Sequence, residues 1–369
     1  MTIPGRREFL GRSGLAAAGL MGGCATSAKT AAPNGAAWKP DEKAFIKAAL
    51  MHLGSNMWCD VFTPIQGDKP PEKRWSGEPG SRDYLRAQED VWRDCIDAMK
   101  KNGFNMVVID LGEALAYPSH PELAVRGTWS VEKMRRELDR LRAMGLEPIP
   151  KLNFSTTHNA WMKDWRHKVS TPEYLDTVDE LIRDVAEIFD HPRFFHIGYD
   201  EETMGHQGGW GRYEYIVVRR GALYWRDFLR CVDTVRSTGC RPWCFSDKIW
   251  HDHDRFVKYM PRDVIMCPWN CVVDEKHPEY TETIAEMGKL GFDLIPDGCT
   301  YTRKEEGIAT KELKTVMDYC RANVPRKQIL GFIVCPWTMC EPGVPRRNFI
   351  ESMEYGGRMF AEWESKNGK

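Results

Sequence analysis

The chain has 369 residues, with 52 Lys plus Arg against 53 Asp plus Glu and a formal net charge of −1. That balance supplies no field to recruit nucleic acid or an anionic membrane surface, and the length suits one large domain rather than two. The 14 Trp, 12 Tyr and 15 Phe offer more flat aromatic faces than a core needs, and such faces stack on sugars, so an uncharged or weakly charged carbohydrate is the expected partner.

Residues 1–24 read as an export signal. Arg6-Arg7-Glu8-Phe9-Leu10 precedes the weakly apolar stretch Gly14 to Gly23, the arrangement of a twin-arginine leader. Leu20-Met21-Gly22-Gly23-Cys24 resembles a lipoprotein processing site, which makes Cys24 an acylation candidate. Apart from such an anchor no membrane contact is expected, because no stretch approaches the roughly 20 apolar residues of a span. Residues 25–44, rich in Ala, Thr, Ser and Pro, read as a flexible tether, and 45–369 as the folded body. The expected location is the periplasm, or the cell envelope if Cys24 is acylated.

In the body, amphipathic helices repeatedly end at a glycine that opens a short apolar run: Asn102-Gly103-Phe104, Met144-Gly145-Leu146, Thr238-Gly239-Cys240 and Leu290-Gly291-Phe292. Strands are expected at Ala48–Leu53, Met106–Leu111, Glu147–Leu152, Phe194–Tyr199, Pro242–Ser246, Val264–Cys267, Asp293–Pro296 and Leu330–Cys335. Between them Trp92, Cys95, Ile96 and Met99 mark one helical face, and Leu175, Val178, Ile182 and Val185 another. Thr171-Pro172-Glu173 supplies a cap, a first-turn proline and an acid. Eight strands alternating with helices predict a single (β/α)8 TIM barrel of the α/β class. The competing doubly wound sheet would carry a Gly-rich phosphate turn after its first strand, and residues 53–60 have none.

Active sites of such barrels lie at the C-terminal strand ends, and these are loaded with polar and aromatic residues. The second strand ends at Asp110 with Glu113 beyond it, the third leads to Asn153 and His158, and the fourth to Tyr199-Asp200-Glu201-Glu202. Later strands are followed by Asp247 and Trp250, Trp269 and Asn270, Asp297 and Tyr301, and Trp337 with Glu341. Carboxylates for proton transfer, tryptophans to wall a ring and amides or acids for hydroxyls make up a glycosidase site. Alone, an acidic run also suits a helix start; the strand-end tryptophans favour chemistry. Metal ligation is not expected. Cys267-Pro-Trp-Asn-Cys271 and Cys335-Pro-Trp-Thr-Met-Cys340 are not CxxC, and His251-Asp252-His253-Asp254 reads as a solvated helix start. No cofactor is expected either. His196 is expected to be buried and hydrogen-bonded.

His196-Ile197-Gly198-Tyr199-Asp200-Glu201 resembles the His-x-Gly-Gly-Asp-Glu motif of glycoside hydrolase family 20, the β-N-acetylhexosaminidases. Residues 120–150 resemble that family's segment between its second and third strands, His158 its strand-3 histidine, and Trp337 with Glu341 the Trp and Glu after its last strand. The resemblance implies a retaining enzyme whose nucleophile is the substrate's own acetamido group. Asp200 would polarise that group and Glu201 would act as acid and base. His158, with Asp110 or Glu113, would support Glu201 from behind, and Tyr301 would bond the acetamido oxygen. Trp250, Trp269 and Trp337 would wall the ring, Glu341 would reach its outer hydroxyls, and Tyr199, Asn153 and Asn270 complete the expected binding set. The sequence departs from the pattern at Tyr199, a bulky phenol where a glycine is usual, and at Lys151 and Asn153, where acids are usual. If the substrate lacks an acetamido group, Glu202 or another strand-end acid must supply the second carboxylate. Two other readings are a sugar-binding barrel without catalysis and a metal-dependent sugar isomerase or epimerase.

Overall fold

In the computed structural model, which describes residues 39–60, 81–208, 213–269, 278–300 and 312–367, the alternating runs become eight parallel strands. They are β1 (Ile46–His52), β2 (Met106–Asp110), β3 (Glu147–Lys151), β4 (Phe194–His196), β5 (Arg241–Phe245), β6 (Ile265–Cys267), β7 (Asp297–Cys299) and β8 (Gly331–Cys335). The hydrogen-bonded order is β6-β5-β4-β3-β2-β1-β8-β7. An isolated bridge between Met266 and Leu294, with Met266 N donating to Asp293 O at 3.0 Å and Ile295 N to Met266 O at 3.0 Å, brings the two ends together. The expected eight-stranded barrel is present. Its seventh strand is shifted: the ladder with β8 uses Asp297–Cys299, while in the segment expected to be the strand, 293–296, Leu294 forms one bridge to Met266 of β6 and one to Ile329.

The helices are α1 (Glu89–Lys101), α2 (Val131–Ala143), α3 (Pro172–Ile188), α4 (Met204–Gly208), α5 (Gly221–Ser237), α6 (Lys248–His251), α7 (His253–Tyr259), α8 (Pro278–Lys289), α9 (Glu312–Asn323) and α10 (Val344–Asn367). Thr171 caps α3 through Oγ1, which accepts from Tyr174 N at 3.3 Å. The four junction glycines, Gly103, Gly145, Gly239 and Gly291, all have φ between 75° and 87°, the left-handed turn that lets an ending helix reverse into a strand.

Two apolar clusters divide the interior. Ala49, Val107, Phe195, Cys244, Met266 and Val334 face outward onto the helices, whereas Leu50, Val108, Phe194, Trp243, Cys267 and Ile333 face into the barrel. With a one-residue stagger per strand, the ladder registers stack the inward side chains in tiers drawn from alternate strands. Above a tier of Met106, Phe194, Ile265 and Gly331 comes one of Ala48, Ile149, Trp243 and Ile295, followed by Val108, His196, Cys267 and Ile333. Above them the tiers turn polar: Leu50, Lys151, Phe245 and Asp297, then Asp110, Gly198, Trp269 and Cys335, then His52, Asn153, Asp247 and Cys299. The barrel is thus oily below and hydrogen-bonding above.

Candidate active site

The upper tiers form the floor of a cup. Lys151 Nζ and Asp110 form an ion pair whose side chains are each 1% exposed, and His52 Nδ1 lies 3.3 Å from the same Asp110 oxygen. Burial would raise the Asp110 carboxyl, but the Lys151 charge and His52 hold it below its usual range. Burial also keeps His52 neutral-leaning, and it acts with the Lys151 charge to push His196 well down. His196 is enclosed by Trp243 and Phe245 and accepts from Gly198 N at 3.1 Å, a structural histidine.

Above this floor the chain leaves β4 through a contorted turn, in which Gly198, Tyr199 and Glu201 have φ of 69°, 69° and 57°. For the two non-glycine residues this conformation costs on the order of 1 kcal/mol or more each, so something must hold it. Gly198 is needed twice over. Its φ is positive, and a Cβ there would stand 2.2 Å from Asn153 Oδ1. Into that space Asn153 inserts its amide, Oδ1 accepting from Tyr199 N at 3.1 Å and Nδ2 donating to Asp200 Oδ1 at 2.7 Å.

The turn delivers three consecutive acids to three different fates. Asp200 is buried, with Oδ2 3.1 Å from His158 Nε2. Burial would raise its carboxyl, but the His158 and Lys151 charges and the Asn153 bond hold it far below the usual carboxylate range. Glu201 is 27% exposed at its side chain, with His158 Nε2 at 3.3 Å on one side and His206 Nε2 at 3.4 Å on the other. Glu202 is sealed in against Arg219, which bonds it at 2.9 and 2.7 Å, while the amides of Arg219 and Thr156 donate to it at 2.8 and 3.2 Å. With every direction of its carboxylate occupied, Glu202 is a staple between the turn and the start of α5 and leaves no free acid for the cup.

His158 therefore touches both acids directly. Burial would lower its pKa, but Asp200 and then Glu201 raise it to about 10, so it carries a proton between them. Neither Asp110 nor Glu113 backs it, contrary to the expectation from sequence. Asp110 is spent on Lys151 and His52, and Glu113 accepts from the amides of Ser55 at 2.7 Å and Asn56 at 3.1 Å. Tyr199 is likewise misplaced by the sequence reading. Its phenol lies outside the barrel, edge-on to Phe228 (5.0 Å) and Tyr224 (5.8 Å) with the Arg219 guanidinium 5.1 Å from its ring centre, so it does not narrow the cup.

Of the aromatic wall, Trp269 and Trp337 rest on the inner cluster, Trp337 at 5.6 Å from the His52 ring and 6.1 Å from Phe245. Trp337 also has φ 49°, a third strained residue at a strand end. Trp250 instead stacks on Tyr280 of α8 at 4.4 Å and bonds Thr283 at 3.0 Å, supporting Trp269 edge-on at 5.1 Å. Glu341 is gripped by Arg86 through two 2.9 Å bonds. Arg86 had no sequence motif to reveal it. Asn270 and Tyr301 lie outside the described residues. The described cysteines are all buried. His253 bonds Glu286 at 2.7 Å on the surface. Among the described residues, His158, Asp200 and Glu201 are the set able to present ligand atoms to a cation, all within 4.8 Å of one another.

No protein-family model matches this sequence, and no curated protein matches it. Solved structures of similar fold include glycoside hydrolase family 20 enzymes. The exo-β-N-acetylglucosaminidase of Vibrio harveyi, in complex with N-acetylglucosamine, has 14% identity and a TM-score of 0.51 over 76% of this chain and 56% of its own. The β-N-acetylhexosaminidase of Streptomyces coelicolor A3(2) has 14% identity and a TM-score of 0.54 over 84% and 64%. A mutant Streptomyces plicatus β-hexosaminidase in complex with product GlcNAc has 13% identity and a TM-score of 0.56 over 88% and 68%. This chain thus spans 56–64% of the length of the first two, and at these identities the likeness establishes the barrel fold.

Proposed function

We propose that the chain is a glycoside hydrolase that cleaves hexosaminides with the substrate's acetamido group as nucleophile, Asp200 orienting that group and Glu201 serving first as general acid and then as general base. The observation that carries this reading is the unequal housing of two adjacent carboxylates. Asp200 is enclosed and held ionised by His158, Lys151 and Asn153, which suits a fixed acceptor for an amide N–H. Glu201 stands on the open side, where a leaving oxygen has access to it. Their oxygens come within 4.8 Å, whereas an inverting pair needs roughly 6.5–9.5 Å between carboxyls to admit a water. Trp269 and Trp337 offer apolar faces beside the pair, and the GlcNAc complexes among the structural neighbours support a carbohydrate ligand.

The mechanism follows from these positions. The acetamido oxygen attacks the anomeric carbon as Glu201 protonates the departing oxygen, and Asp200, accepting from the acetamido N–H, stabilises the positive charge that develops there. Water then opens the cyclic intermediate with Glu201 removing its proton. Export by the twin-arginine route, with lipid attachment at Cys24, belongs to the same proposal. Its check is whether Cys24→Ala abolishes incorporation of labelled fatty acid.

The direct test compares aryl N-acetyl-β-hexosaminides with their 2-hydroxy counterparts. Wild type should cleave only the former, and Glu201→Gln should lose about 100- to 10,000-fold in kcat on substrates with poor leaving groups. Cleavage of 2-hydroxy sugars alone would overturn the substrate-assisted route. A second reading, metal-dependent isomerisation, has the His158–Asp200–Glu201 ligand set in its favour; it requires that chelation abolish activity and that a divalent cation restore it.

A further inference from the structure

Asp247 occupies the first position before α6, where an aspartate ordinarily turns its side chain back to cap its own helix. Here it does not: no side-chain cap bond forms, and the carboxylate points into the cup. Oδ2 accepts from the backbone N–H of Glu201 at 2.9 Å, and Oδ1 faces Trp269 Nε1 at 3.4 Å. The Glu201 amide belongs to a residue in the left-handed region, and its carbonyl is held from the other side by Thr157 Oγ1 at 2.5 Å. A cap bond worth about 1 kcal/mol has been given up to fix the backbone of one residue and the indole of another.

We propose that Asp247 is a positioning residue that ties the Glu201 backbone to the Trp269 indole, so that the proton donor and the aromatic face beside it keep one fixed relation. The proposal rests on the glycosidase reading above. The groups facing Asp247 fit the role. Burial, and then the nearby Asp200 charge, raise its carboxyl to about 7, the bond from the Glu201 amide pulls it down, the Glu201 charge raises it by less, and Lys248 follows it on α6. An ionised carboxylate is the stronger acceptor for the Glu201 amide.

The experiment compares Asp247→Ala, Asp247→Asn and Trp269→Phe with wild type, using an aryl N-acetyl-β-hexosaminide and amide hydrogen exchange read by mass spectrometry over residues 197–203. Asp247→Ala should speed exchange in that segment and lower kcat per folded molecule by about 10- to 100-fold. Asp247→Asn, which keeps one acceptor oxygen, should recover much of the kcat. Trp269→Phe should raise KM with little change in exchange. Unchanged exchange in Asp247→Ala overturns the tie whether or not the protein is an enzyme, and an unchanged kcat overturns its catalytic role. If exchange accelerates as expected but wild type cleaves no glycoside, the tie stands, while the glycosidase reading and the catalytic part of this proposal fall together.

Discussion

His158 gives the sharpest quantitative test, because its buried side chain holds a proton stabilised by two acids at 3.1 and 3.3 Å. Its pKa of about 10 in the folded chain compares with 6.5 for an ordinary histidine. A group raised in this way contributes stability that is complete below pH 6.5 and is lost as pH climbs through 10. At about 1.4 kcal/mol per pKa unit, the loss across that window is on the order of 5 kcal/mol, with more than half still present at pH 8. Urea unfolding of wild type and His158→Gln at pH 6.5, 8 and 9.5 reads it, since titrating groups away from the site are common to both and cancel in the difference. The stability gap should shrink by a few kcal/mol from the lowest to the highest pH. A gap that stays constant would mean that no proton is held between the two acids, and the ionised state assigned to Asp200 would lose its main support.

Other perturbations read other parts of the site. Gly198→Ala should cost about 2–4 kcal/mol in urea unfolding, the sum of left-handed strain and displacement of Asn153, and should reduce kcat because Asp200 loses its amide partner. Arg219→Met strands the buried Glu202 carboxylate and should destabilise by about 3–5 kcal/mol. Adding Glu202→Gln to it should restore part of that loss, whereas additive losses would show that the two are not paired. Dialysis against a chelator should leave glycoside cleavage unchanged, and a metal-restorable loss would favour the isomerase reading.

Much of the architecture was legible because its signals are local. Glycine-terminated helices marked the junctions, and seven of the strands begin within two residues of expectation. The seventh was misplaced because an apolar run reports burial but not its ladder partner. Leu294 and Ile295 are as buried as any strand, yet the continuous ladder with β8 starts only after Pro296. In the site, Asp200, Glu201 and His158 were brought together as their motif implied. The roles that failed were those depending on height and facing. Asp110 lies on an inward position like the reactive acids but a tier below Asn153 and Asp247, where Lys151 neutralises it. Tyr199, one residue after the inward Gly198, faces out as strand alternation itself would place it, whereas Glu202, in phase with the inward residues, is carried out of the cup by a turn whose positive φ values break the alternation. Asp247 stood in plain view as a strand-end acid, but nothing in sequence showed that it would decline its own helix.

The Glu202–Arg219 staple makes the reactive turn answerable to a distant part of the surface. Arg219 passes from Glu202 to Asp227 at 3.4 Å, and Asp227 in turn accepts from Ser170 Oγ at 2.5 Å and pairs with the half-exposed Arg226 at 2.7 Å. This is a continuous polar lever from solvent to the residue next to Glu201, running behind the barrel wall and never entering the cup. On the proposed reading, a substitution at Ser170 or Arg226 would bear on the backbone beside Glu201 from behind the barrel wall, without touching the mouth of the barrel at all.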